Sequence, residues 1–121
     1  MTIKELMIES HKTAKDKGFW SEQFYEIGTP KIIVAEQPKK RNNSELLMLI
    51  VTELGEACEA LRHGNPPSEH IPEFNAVEEE LADCMIRIAD MAEARGYKLE
   101  EALEAKLLFN KGRERLHGKQ F

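Results

Sequence analysis

The 121-residue chain has only two cysteines, one tryptophan and five prolines. Cys58 and Cys84 form no close-spaced motif, which excludes a disulfide scaffold and a CxxC redox or metal pair. Both are expected to be thiols packed in the core of a reduced, cytoplasmic protein. No stretch approaches the roughly 18 apolar residues of a membrane span. The mixed-charge N-terminus, Met1 to Lys17, is not a signal peptide, so no membrane partner is expected. An excess of basic residues is also missing. The formal net charge of −5 argues against a nucleic-acid surface. There is no G-x-x-x-x-G-K-[ST] loop, which excludes a P-loop enzyme. No Ser-His-Asp or Cys-His arrangement suggests a covalent nucleophile, and no internal repeat or low-complexity tract is present.

What remains is 41% hydrophobic and 32% charged, rich in Glu, Leu, Ala and Lys: a single globular domain spanning residues 1–121, built mainly from helices. Thr2 and Glu5 form a capping box that opens a first helix, with Ile3, Leu6, Met7 and Ala14 as its stripe and Gly18 at its end. His11 lies one position off the stripe, and Phe19-Trp20 follows the helix. Residues 21–42 carry no helical period. Gly28-Thr29-Pro30 reads as a turn, Ile32 to Ala35 as a short extended run, and Lys39 to Arg41 as a solvent-facing basic tip. A connection of this length is either a lid or binding loop or a solvated linker.

A second helix starts at Asn42 or Asn43, with Asn42 and Glu45 as a capping-box pattern, and Gly64-Asn65-Pro66-Pro67 stops it after His63. Leu46, Leu49, Ile50, Leu54, Ala57, Ala60 and Leu61 define its apolar arc. A third helix runs from near Phe74–Val77 to Gly96, with Val77, Leu81, Cys84, Ile88 and Met91 facing the core. A fourth begins near Leu99 with the stripe Leu99, Leu103 and Leu107. The fold class is therefore all-α, a four- to five-helix bundle.

Acids occupy unusual places in this pattern. Glu53 projects into the middle of the second helix's apolar arc, and Glu56 sits at its edge. Glu80 borders the third helix's arc, with Asp83 one turn on. An acid in a core-facing stripe requires a partner, and four carboxylates between two packed helices call for a cation. All-carboxylate ligation selects Mg²⁺ or Mn²⁺ over zinc. Di-iron bundles use Glu-x-x-His pairs, and no histidine stands three residues after Glu53 or Glu80. Arg87 follows Asp83 by one turn, a spacing that would let it orient that carboxylate. Glu59, Glu78 and Glu79 read as surface or helix-end charges. On the last helix, Lys106, Asn110 and Arg113 line one side as either a solvated face or a phosphate-facing row.

The run Thr52-Glu53-Leu54-Gly55-Glu56-Ala57 followed by Glu79-Glu80-Leu81-Ala82-Asp83 resembles the E-x-x-E, spacer, E-x-x-D signature of the all-α nucleoside triphosphate pyrophosphohydrolases. These include MazG-like proteins, dimeric dUTPases, dCTP pyrophosphatases and phosphoribosyl-ATP pyrophosphohydrolases. The tail, with Lys106, Asn110, Arg113 and His117-Gly118-Lys119, is similar to MazG-like members as well. The resemblance implies a homodimer or dimer of dimers that hydrolyses an NTP or dNTP to the monophosphate and pyrophosphate. It further implies Mg²⁺ held by Glu53, Glu56, Glu80 and Asp83, with Glu53 or Glu56 taking the proton of the attacking water. Phosphate oxygens would meet Lys106, Asn110 and Arg113, and His11 and Trp20 would help form the base pocket. The alternative is a non-catalytic helical dimer that binds a nucleotide or a partner protein.

Overall fold

The computed structural model describes residues 1–25 and 32–121. Four helices pack helix on helix into one all-α domain: α1 (Ile3–Asp16), α2 (Asn43–Arg62), α3 (Ala76–Ala94) and α4 (Leu99–Lys111). Each start except that of α4 is set by a local cap. Thr2 and Glu5 close the expected capping box on α1. Asn42 accepts hydrogen bonds from the Ser44 and Glu45 backbones to open α2, and Asn75 with Glu78 forms a second full box on α3. Glu78 thus serves a helix end, as its position suggested.

α3 is the central helix, packing against both α1 and α2, while α4 leans on α1. The innermost cluster is small: Met7 of α1 against Ala89 and Ala92 of α3, with Ile3, Leu6 and Leu99 around it. Alanines at this crossing let the helix backbones approach closely.

The segment between α1 and α2 is not a structureless loop. Strands β1 (Ser21–Tyr25) and β2 (Ile32–Pro38) pair antiparallel, Gln23 opposite Val34 and Tyr25 opposite Ile32, with an irregularity between Ser21 and Gln23. A hydrogen bond from the Lys39 backbone to the Trp20 carbonyl, 2.8 Å, closes the base of this hairpin. Ile32 to Ala35 is extended as expected, whereas the Gly28-Thr29-Pro30 turn lies outside the described residues.

Two expectations about packing need correction. Cys84 is buried and its thiol donates to the Ile50 carbonyl at 3.4 Å, but Cys58 is exposed on α2. Leu54 and Leu61, placed in the core arc of α2, also face outward, as do Leu81 and Ile88 of α3 and Leu107 of α4. On α2 the exposed residues Leu47, Val51, Leu54, Cys58 and Leu61 follow alternating four- and three-residue steps. That spacing is the seam of a coiled coil. The helix is apolar on two sides, and α3 covers only the side carrying Leu46, Glu53 and Ala57.

Candidate metal centre

Packing α2 on α3 brings the inward acid of one helix to the acids of the other. Glu53 is buried at 6% exposure, and Glu80 and Asp83 are half-buried. One oxygen from each of these three carboxylates lies within 4.8 Å of the others. This is a buried Glu/Glu/Asp cluster able to coordinate a metal ion. Glu56, one turn after Glu53, is exposed and comes within hydrogen-bonding reach of Glu53 and Glu80. All four expected acids are thus gathered, three closely and the fourth at the rim.

The charge states of these groups show how crowded the cluster is. Burial, together with a hydrogen bond to Glu56 and the charges of Glu56, Glu53 and Asp83, pushes the Glu80 carboxyl up to about 7. Burial and the charges of Glu53 and Glu79 raise Asp83 as well. Burial would also raise Glu53, but the Arg87 hydrogen bond, helped by Glu56 and by the guanidinium charge, outweighs it and holds the carboxyl below its ordinary value. Arg87 therefore serves Glu53 on the other helix, through Nε to Oε1, and not its own-helix neighbour Asp83. One guanidinium cannot balance four carboxylates. Hard oxygen donors and net negative charge together fit Mg²⁺ or Mn²⁺.

A pH dependence follows. An ion at this cluster must displace the Glu80 proton, so Mn²⁺ affinity is expected to fall about tenfold per pH unit below about 7. In the ion-free protein the folded state holds that proton more tightly than the unfolded chain does. Stability should therefore decline as pH rises from the ordinary 4.5 through about 7. Asp83 and the raised His70 act in the same direction over their own ranges, while the lowered Glu53 and Glu79 lose their contribution only on acidification. Melting temperatures with a chelator and with excess Mg²⁺, taken across that range, check both: the decline should shrink when Mg²⁺ is present.

Two of the acids, Glu53 and Asp83, line a cavity of about 260 Å³ together with Arg87 and, farther along, Asp90, Arg41, Lys17 and Phe19. Neither His11 nor Trp20 lines it, but the two rings meet each other edge to face, centroids 5.2 Å apart. Their partner was not legible in sequence. Asp90 Oδ1 meets His11 Nδ1 at 2.8 Å and accepts from Trp20 Nε1 at 3.0 Å. Arg41, read as a solvated tip, lies 4.9 Å from the Trp20 ring, and Arg95 lies 5.7 Å from it. Arg95 also bonds the Arg41 carbonyl and the Asn43 side chain, tying the start of α2 to the end of α3.

Lys106, Asn110 and Arg113 sit elsewhere. Lys106 and Arg113 flank the Phe109 ring at 4.6 and 5.6 Å, and none of the three lines the cavity beside the acids of the same chain. The Asn110 side-chain oxygen is shielded from solvent without a hydrogen-bond partner among the described residues. Glu79 lies in the first turn of α3 as expected and is also a fastener: it accepts from Ser68 Oγ and pairs with His70 Nδ1, both at 2.5 Å, holding the α2–α3 connection onto α3. Among the described residues no helix is long and apolar enough to cross a membrane.

Comparison with protein-family models, with curated proteins and with solved structures finds no match in any of the three.

Proposed function

We propose that this chain is a Mg²⁺-dependent nucleoside triphosphate pyrophosphohydrolase of the MazG-like all-α kind, acting on an NTP or dNTP as a homodimer or dimer of dimers. The observation that carries the reading is Glu53, a carboxylate buried on a core-facing stripe, gathered with Glu80 and Asp83 and lining a cavity with Asp83. The resemblance of the sequence around both acid pairs supplies the reaction class.

In this reading Glu53, Glu56, Glu80 and Asp83 hold the ion, with Mn²⁺ as a substitute. When bound, the ion would lower the pKa of a coordinated water and offset charge on the phosphates. The chain's own residues do the rest. Glu53 or Glu56 accepts the proton of the attacking water, and Glu56 at the rim has the freer access to solvent. His11 and Trp20, locked by Asp90, give the base a rigid aromatic wall. Lys106, Asn110 and Arg113 contact phosphate oxygens, and because they do not line the cavity beside the acids of their own chain, a second copy brings them there.

The exposed seam on α2 supports that second copy. The chain's accessible surface is 9820 Å², against roughly 6,700 Å² for a compact monomer of 13.9 kDa. An excess on the order of 3,000 Å² is ample for an obligate interface.

The deciding experiment is a panel of NTPs and dNTPs with Mg²⁺, assayed for pyrophosphate. Release from at least one of them, abolished by a chelator, is expected. No release from any, while a nucleotide still raised the melting temperature, would favour the non-catalytic binding dimer and sink the enzyme reading.

A further inference from the structure

Among the described residues, Arg87 is the one cation paired with any of the four acids. It stands on α3 one turn beyond Asp83 and two beyond Glu80, on the side of the helix that carries them. Its Nε reaches across to Glu53, and its side chain remains 39% exposed. It also lines the cavity, together with Asp90, Lys17 and Arg41. The guanidinium thus has two possible clients, the buried carboxylate and whatever anion fills the cavity, and it engages the first through a single nitrogen. A divalent ion at the cluster needs the same Glu53 carboxylate, and at such short range a second cation on that carboxylate is repelled.

We propose that Arg87 is an internal stand-in for the cation. In the ion-free protein it neutralises Glu53, an arriving divalent ion takes Glu53 from it, and the freed guanidinium turns onto the anionic ligand in the adjoining cavity. The inference rests on the metal reading above and adds a positioning residue to it. Arginine suits the second task because its planar fork matches phosphate oxygens pairwise, a geometry that the one-nitrogen contact with Glu53 leaves unused.

The opposite role is a plain structural one, in which Arg87 holds Glu53 in the orientation the ion requires. The two differ in sign. If Arg87 competes with the ion, Arg87→Gln should bind Mn²⁺ about tenfold more tightly or better, the equilibrium value of one lost charge-assisted hydrogen bond. With Mn²⁺ saturating, the same variant should bind inorganic pyrophosphate about tenfold more weakly. Arg87→Lys should return the Mn²⁺ affinity toward wild type while leaving pyrophosphate binding weak. If Arg87 only orients Glu53, Arg87→Gln weakens Mn²⁺ binding too, and the proposal is overturned.

Calorimetry or Mn²⁺ paramagnetic resonance reads the first quantity without any turnover. A measurement on the wild-type protein guards against a variant that fails to fold: the Arg87 Nε–H NMR resonance should lose its protection as Mg²⁺ is added. An unchanged resonance at saturating Mg²⁺ would also overturn the proposal. Absence of Mn²⁺ binding in both wild type and Arg87→Gln would remove the metal reading and this inference together. Binding that is equal or weaker in the variant removes the inference alone.

Discussion

Glu53→Gln is expected to abolish pyrophosphate release while leaving the fold in place. Glutamine keeps the shape and one carbonyl oxygen, so Arg87 can still donate to it. What disappears is the negative charge at the most buried point of the cluster. A lost electrostatic contributor at a reacting centre costs about 10²–10³ in rate. Here the loss also weakens the ion that Glu80 and Asp83 hold in common with Glu53, so turnover should drop at least about a thousandfold. Helical circular dichroism should be unchanged, because one buried ion pair becomes one buried hydrogen bond. Mn²⁺ titration and the pyrophosphate assay together check the claim. Activity retained within about tenfold of wild type would contradict the assignment of Glu53, and with it the proposed role of the whole cluster.

The second large effect concerns the outward side of α2. Val51→Arg places a charge in the middle of the seam formed by Leu47, Val51, Leu54, Cys58 and Leu61. Val51 is half exposed in the single chain, so the substitution should cost little within it. Against a partner helix it is severe, since burying an unpaired charge is far more expensive than the roughly 1.5–3 kcal/mol gained by burying one leucine. Sedimentation should show wild type at twice the 13.9 kDa chain mass or more, and the variant shifted to the monomer. The variant should also melt at a markedly lower temperature and lose turnover, because Lys106, Asn110 and Arg113 would no longer meet the acids. A wild-type protein that sediments as a monomer at micromolar concentration would refute the interface.

The pH behaviour of the site would separate the metal reading from a purely structural acidic cluster. A cluster that only shapes the fold has no reason to recover its stability when Mg²⁺ is added. A Glu80 pushed up to about 7 by its neighbours gives the ion a specific proton to displace.

How much of this could be read from sequence depended on the range of the interaction. The caps of Thr2 and Asn42 and the Gly64–Pro67 stop act over three or four residues, so the chain announces them locally. Glu53 was legible because a helix imposes its own periodicity, and an acid on an apolar arc is out of place whatever packs on it. Other features are pairings between distant segments. The hairpin needs residues 21–25 to meet 32–38, and its strands show no helical period to replace. Arg87 had Asp83 one turn away but found Glu53 on the facing helix, in the less polar setting where its charge counts most. Asp90 gains its role only through His11 and Trp20, which close on it from α1 and the hairpin base.

The sequence by itself determined the four helices, where they begin, and which acids had to be explained, because all of these follow from backbone geometry and nearest neighbours; the end of α4 at Lys111, which leaves Arg113 beyond the helix, was not among them. Only the tertiary structure decided which of α2's two apolar sides turns to its own core. It also decided which carboxylate receives the arginine and that Lys106, Asn110 and Arg113 do not line the cavity beside the acids of their own chain. Those outcomes depend on how helices cross, and a helix with apolar residues on two sides can satisfy either. Packing α3 against Leu46, Glu53 and Ala57 buried one side together with its acid and left the other for a partner.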